Sequence, residues 1–142
     1  MTAIAWNQKT IDLFHAQNGL GIAPWGDNLL LLTARGATSG NSITTPLVYR
    51  RDHGHLVVVA SKGGAPTHPH WYQNLRVNPV VEVEVANYDR IEKLTAQATA
   101  LSDGPERDRL YAYMTEVWPA FADYQRKTER TIPIVVLEPI SS

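Results

Sequence analysis

The sequence predicts a small antiparallel β-barrel with helices packed on its outside. Three observations lead there. The apolar stretches are short and separated by turn signals, as in hairpins. No regular strand–helix–strand alternation appears, which excludes a doubly wound parallel sheet. And 142 residues without an internal repeat make one domain, long enough to bury about two-thirds of the surface its unfolded chain exposes.

The elements follow in order. Residues 6–17 read as a helix, with Leu13 and Phe14 sharing a face with Thr10 and Trp6, and Asn18-Gly19 as a stop. The linker "GLGIAPWGDN" is rich in Gly and Pro and separates this helix from the rest. We therefore divide the chain into residues 1–19, a helix and candidate lid, and 20–142, the barrel. "LLLLTAR" is a short, continuously apolar strand of the kind buried on both faces. "TTPLVYRR" and "HLVVVAS" flank the turn residues Asp52-His53-Gly54. In "VVEVEV", Val81, Val83 and Val85 point one way and Glu82 and Glu84 the other. "LTAQATAL" alternates too, with Leu94, Ala96, Ala98 and Ala100 on one face, although alanine favours helix. "DGPERDRLYAYMTEV" reads as a helix with Pro105 near its start. Pro119 breaks it, because the residue before a proline avoids the helical region. A further helix runs to about Lys127, and "IPIVVL" closes the chain as a strand.

Charge and composition exclude several functions. The net charge is −1 with Lys and Arg scattered, so no basic stripe for nucleic acid is expected. With no cysteine there is neither a disulfide framework nor a thiolate nucleophile. The longest apolar runs fall far short of a bilayer span, and no signal-peptide pattern opens the chain. A cytoplasmic protein, at most peripheral to a membrane, is the expectation. His53 with His55 and His68 with His70 form two pairs, but no acidic partner completes a zinc set, so no metal site is expected. Glu82 and Glu84 read as a solvated strand face rather than a catalytic pair, and Ser39 and Ser42 sit in no nucleophile motif.

The stretch "ASKGGAPTHPHWYQNL" carries the most chemistry. Ser61 offers a hydroxyl, Lys62 a cation, and Gly63-Gly64 let backbone amides approach a ligand closely. A helix beginning near Pro69 would add free amides and a positive dipole end. "SKGG" alone fits a glycine turn with a surface lysine better than a phosphate grip. Trp71 and Asn74 alter the balance: three apart on one helix face, they suit a flat ring that wants an aromatic wall and an amide. Trp71 would serve equally in core packing.

Four segments, "LLLTARGATSGNSITTPL", "PLVY", "VVVASKGGAPTHPHWYQNLRVNP" and "WPAFADYQRKTERTIPIVVLEP", resemble the deazaflavin-dependent nitroreductases of actinobacteria. The resemblance covers roughly residues 20–139. It implies a mainly β fold with flanking helices, a split β-barrel of the FMN-binding-like type. It implies an oxidoreductase that passes hydride from reduced coenzyme F420 to an electron-poor apolar acceptor: an activated alkene, a quinone or a nitroaromatic. The coenzyme would supply the reactive centre and the protein its binding and orientation. Position by position, Ser61, Lys62, Gly63, Gly64 and Ala65 would hold the phosphate and ring edge, Trp71 and Asn74 would line the coenzyme cleft, and Pro46 would border the ring. Trp118, Phe121 and Tyr124 would wall the acceptor side, and Tyr124 or water would give the proton. On a regular helix these three span an arc of about 120°, which is also the pattern of a buried stripe.

The chain departs from that pattern where family members carry cations for the coenzyme's acidic tail. Here those positions hold Ala37, Thr38 and Ile43. Arg35, Arg50 and Arg51 are the substitutes within reach in sequence. Coenzyme binding is therefore expected to be weaker or independent of the tail. Two other readings follow from the same loss: a non-catalytic barrel holding a lipid or a tetrapyrrole, or a reductase using FMN. The partner in the leading reading is a small-molecule acceptor, and the protein is a monomer or homodimer.

Overall fold

The computed structural model describes residues 5–37 and 40–140; the side chains of residues 5 and 6, and Thr38 and Ser39, lie outside that description. The chain folds as α1 (Ala5–Ala16), β1 (Leu29–Arg35), β2 (Ser42–Asp52), β3 (His55–Val59), a short 3-10 turn (Lys62–Gly64), α2 (His70–Val77), β4 (Val80–Asn87), β5 (Arg90–Leu101), α3 (Pro105–Thr115), α4 (Ala120–Arg126) and β6 (Ile134–Pro139). The strands close a barrel in the order β1-β2-β3-β6-β5-β4, every pairing antiparallel. This is the predicted class.

Side-chain alternation sorts each strand between two environments. On β1, Leu30, Leu32 and Ala34 fill the barrel, while Leu29 and Leu31 face outward and are covered by α1. On β3, Leu56 and Val58 point in, and Val57 and Val59 lie under α3 and α4. Both strands read as continuous apolar runs because both faces are buried. β4 has one buried face: Val81, Val83 and Val85 are inside, and the glutamates between them face out. β5 runs from Arg90, four residues before the segment its alternation marks. Pairing with β4 on one side and β6 on the other overrides alanine's helical preference, and Ala96 and Ala98 join the interior.

The first helix stands where expected, but its buried face differs. Ile11 and Phe14 pack with Ile22, Leu29 and Leu31, whereas Leu13 is 39 % exposed. On a regular helix Leu13 stands about 160° round from Ile11, so it cannot share that face. Gly19 ends the helix with φ +78°, and a Cβ there would come within 3.0 Å of the Phe14 ring. The buried ring thus requires glycine at the stop signal.

α3 ends at Thr115 and α4 begins after Pro119. Arg107, buried, holds this corner: it donates to the Ile132 carbonyl at 2.8 and 3.0 Å and to Gln125 Oε1 at 2.6 Å, and lies 4.3 Å over the Tyr111 ring. Tyr111 Oη donates to the Phe121 carbonyl at 2.5 Å, joining α3 to α4. Burial pushes the Tyr111 hydroxyl up to about 12, so it stays protonated and remains a donor.

Candidate functional site

A cleft of about 650 Å³ runs along β2. Strand order dictates its walls. β2 lies between β1, whose outer face carries α1, and β3, whose outer face carries α3 and α4. Two helical elements therefore rise on either side of β2, which lends Pro46 and Val48. α1 brings Asn7 and Thr10 from one flank, and α4 with the turn before it brings Trp118, Phe121 and Tyr124 from the other.

At one end, β3 runs into Ser61, Lys62 and Gly63. The backbone reverses hand there: Ser61 is right-handed helical (φ −83°, ψ −38°), Lys62 has φ 47° and Gly63 φ 63°. Such a reversal turns successive amide N–H groups into one concavity, a form that receives anions. The amides of Gly64 and Ala65 bond back to Ser61 and Lys62 carbonyls. Those of Lys62 and Gly63 take no partner among the described residues. Lys62 Nζ reaches only Thr67 Oγ1, at 3.2 Å.

Arg130 holds this loop from behind. Its guanidinium donates to the carbonyls of Ala65 and Ser61, each at 2.9 Å, and to Ala60 at 3.4 Å, and meets His68 Nδ1 at 3.1 Å. Burial pulls the Arg130 pKa down from its ordinary value. Burial first, then the charge of Arg130, holds His68 below the ordinary histidine value. A neutral ring can accept the Arg130 proton; an imidazolium cannot. Gly64 serves a different purpose from Gly63. At φ +84°, a Cβ on Gly64 would lie 2.7 Å from the Tyr124 carbonyl oxygen, whereas nothing comes within 4 Å of one on Gly63. Gly64 thus lets the loop press against α4 and sets the backbone that carries Tyr124. Across the aromatic wall, Trp118 Nε1 lies 3.5 Å from Tyr124 Oη.

The structure brings Pro46, Ser61, Lys62, Gly63, Trp71, Trp118, Phe121 and Tyr124 to the cleft. Gly64, Ala65 and Asn74 are not among its lining residues. Ala65 is held by Arg130, and Asn74 Oδ1 accepts the Ala37 N–H at 3.0 Å, tying α2 to the loop after β1. Phe121, on α4, has a double setting, 4 % exposed in the core between α4, α3 and β3 and also among the residues lining the cleft. Asn7, Thr10, Trp25 and Arg130 escaped sequence reasoning. Only Trp25 carried a signal, an aromatic between Pro24 and Gly26 in a linker. Of the candidate replacement cations, Arg50 is occupied, donating to Glu116 at 3.0 Å and to the Tyr113 carbonyl at 2.9 Å. Arg51 lies 5.9 Å over the Tyr49 ring, and neither it nor Arg35 lines the cleft.

A closed six-stranded antiparallel barrel with a cleft along β2 and a left-handed glycine turn at one end places the protein among the split-barrel proteins. The chain belongs to the F420H2-dependent quinone reductase family, whose model matches residues 6–139. An F420H2-dependent quinone reductase of Mycobacterium tuberculosis is 40 % identical over 109 residues, 76 % of this chain and 71 % of that one. The solved structure of an F420H2-dependent reductase superposes with a TM-score of 0.68 at 38 % identity, covering 78 % of this chain and 94 % of its own. A second, described as a domain-swapped dimer, gives 0.71 at 34 % identity, covering 92 % and 95 %. The protein is therefore an F420H2-dependent oxidoreductase, and of the readings open from sequence this is the one the family carries. A haem storage protein of Vibrio cholerae shares the fold with a TM-score of 0.65 at 14 % identity, covering 96 % of this chain and 92 % of its own, which speaks for the fold alone.

Proposed function

We propose that the protein transfers hydride from F420H2 to a quinone bound against the α4 wall. The reduced coenzyme supplies the hydride; the chain supplies seats for both molecules and a proton. The observation that carries this reading is the hand reversal at Ser61–Gly63, with two unpartnered amides beside Lys62 at the end of a cleft large enough for a ring system. Those amides and the ammonium receive a phosphate. Pro46 and Trp71 border the coenzyme ring. Trp118 and Phe121 exclude water from the acceptor's apolar body, and Tyr124 Oη, beside Trp118 Nε1, donates the proton a reduced carbonyl oxygen needs. Gly64 and Arg130 act by position, one seating α4 and the other the loop.

The protein acts as a monomer or a homodimer, and size-exclusion chromatography with light scattering decides between them. No helix among the described residues is long and apolar enough to cross a membrane. We place the protein in the cytoplasm, in keeping with its cysteine-free chain, with quinone taken up at the membrane surface; cell fractionation checks that placement.

Titration of the purified protein with F420H2, followed by its absorbance, and turnover with a soluble naphthoquinone test the reading together. Lys62→Ala should weaken coenzyme binding by about 1.5–3 kcal/mol, the range for a hydrogen bond to a charged group, with kcat at saturating coenzyme little changed. Unaltered affinity would leave Lys62 a surface lysine.

A further inference from the structure

Asn7 has no place in the reading so far. The residue is 7 % exposed, yet no hydrogen bond among the described residues engages its side chain, and it is one of the cleft's lining residues. Among the described residues, no unpartnered side-chain polar atom is sealed from solvent. The Asn7 amide therefore keeps some contact with solvent, in a residue that lines the cleft. The helix gains nothing from keeping it there: Ile11 and Phe14, on the same face, make the apolar contact with the barrel. Thr10, three residues on from Asn7, also lines the cleft with its hydroxyl unpartnered.

The position of these groups says what they serve. The anion turn adjoins α4, because Gly64 packs on Tyr124. α1 stands across β2 from both. A ring lying along β2 thus meets the Trp118–Tyr124 pair on one flank and the Asn7 amide on the other. A quinone carries carbonyl oxygens on opposite sides of its ring. The geometry points to Asn7 as an acceptor-binding residue: its side-chain N–H₂ donates to the quinone carbonyl remote from Tyr124, and Thr10 lends its hydroxyl beside it. This rests on the quinone reading above. It makes α1 a specificity element that favours acceptors with two opposed oxygens over acceptors with one polar end.

Steady-state kinetics with menadione as acceptor, beside F420H2 binding titrations, test the assignment. Asn7→Leu, similar in size but without the amide, should raise the KM for menadione roughly three- to tenfold, the factor a lost neutral hydrogen bond carries. The kcat and the Kd for F420H2 should stay near those of the unmodified protein, the signature of binding that acts on the acceptor alone. An unchanged KM overturns the assignment while the quinone reading stands. A raised Kd for F420H2 instead overturns it by moving Asn7 to the coenzyme. If the unmodified protein binds F420H2 but does not reduce menadione, the quinone reading fails and the assignment fails with it. Should Asn7→Leu not fold, Asn7→Asp decides by the same KM: it keeps size and polarity but presents acceptors to an acceptor, so the KM must rise at neutral pH.

Discussion

Two neighbouring glycines show how differently one residue type is used. Gly63 and Gly64 both have positive φ, but only Gly64 lies against another backbone. Gly63→Ala meets only the left-handed penalty, about 1–2 kcal/mol. Gly64→Ala adds the cost of pushing α4 away from the loop, about 1–3 kcal/mol more. We expect Gly64→Ala to lower the melting temperature further and also to raise the KM for acceptor, because Tyr124 moves with the strained carbonyl. Equal effects in the two variants would remove the packing role. His68 supplies the pH dependence. Its folded pKa is depressed, chiefly by burial, so the folded protein binds fewer protons there than the unfolded chain. Its contribution to stability is therefore full above the ordinary histidine value of 6.5 and declines as pH falls below it. Protonation also removes the acceptor for Arg130, which loosens the Ser61 loop. Coenzyme affinity should fall along with stability as pH drops below 6.5, and His68→Asn should flatten that part of the profile. A variant with the same pH response would acquit His68.

At the scale of elements, α1 both packs and lines. Phe14 is fully buried against β1, while Asn7 and Thr10 face the cleft. Removing residues 1–18 would mix the two effects, so point changes are needed to tell a lid from a buttress. Phe14→Ala should cost about 3–5 kcal/mol, as for other buried aromatics, whereas exposed Leu13→Ala should cost about 0.5 kcal/mol or less. Chemical denaturation measures both. A small loss for Phe14→Ala would show that α1 rests lightly on the barrel and opens readily. The helix itself was legible in the sequence, but its face was not. Leu13-Phe14 looks apolar as a pair, and only the packing of Ile22 under Ile11 and Phe14 shows which of the two turns inward.

For the molecule as a whole, the distribution of cations decides how the coenzyme is held. Net charge is −1, the loop after β1 has the uncharged Ala37 and β2 the uncharged Ile43 where the resemblance implies cations, and Arg50 is engaged by Glu116 and Tyr113. Affinity for F420H2 should therefore depend weakly on the number of glutamates in its tail and weakly on salt. Placing Arg and Lys at positions 37 and 38 should raise both the affinity and its salt sensitivity, since exposed charges are screened over about 10 Å at 0.1 M. Strong tail-length dependence in the unmodified protein would mean that other basic residues already perform this task.

What the sequence determined by itself was local. The two-residue period of Val81, Val83 and Val85 specified a one-sided strand, the unbroken run at Leu29–Leu32 a two-sided one, and Pro119 the break between α3 and α4, because each depends only on neighbours in the chain. The Ser61–Gly64 turn was legible as a candidate for the same reason: left-handed backbone at glycine is a property of a few residues. Which residues meet across the cleft was decided by tertiary structure alone. Barrel closure places β2 between β1 and β3, and so brings Asn7 and Tyr124, 117 positions apart in sequence, to opposite flanks of one groove. It also brings Arg130 behind a loop some 65 residues earlier and draws Asn74 away to the Ala37 amide. No period in a sequence encodes such meetings, because they are set by how strands of different length and order must turn to close a ring, and the side chains at the seams take whatever partners closure presents.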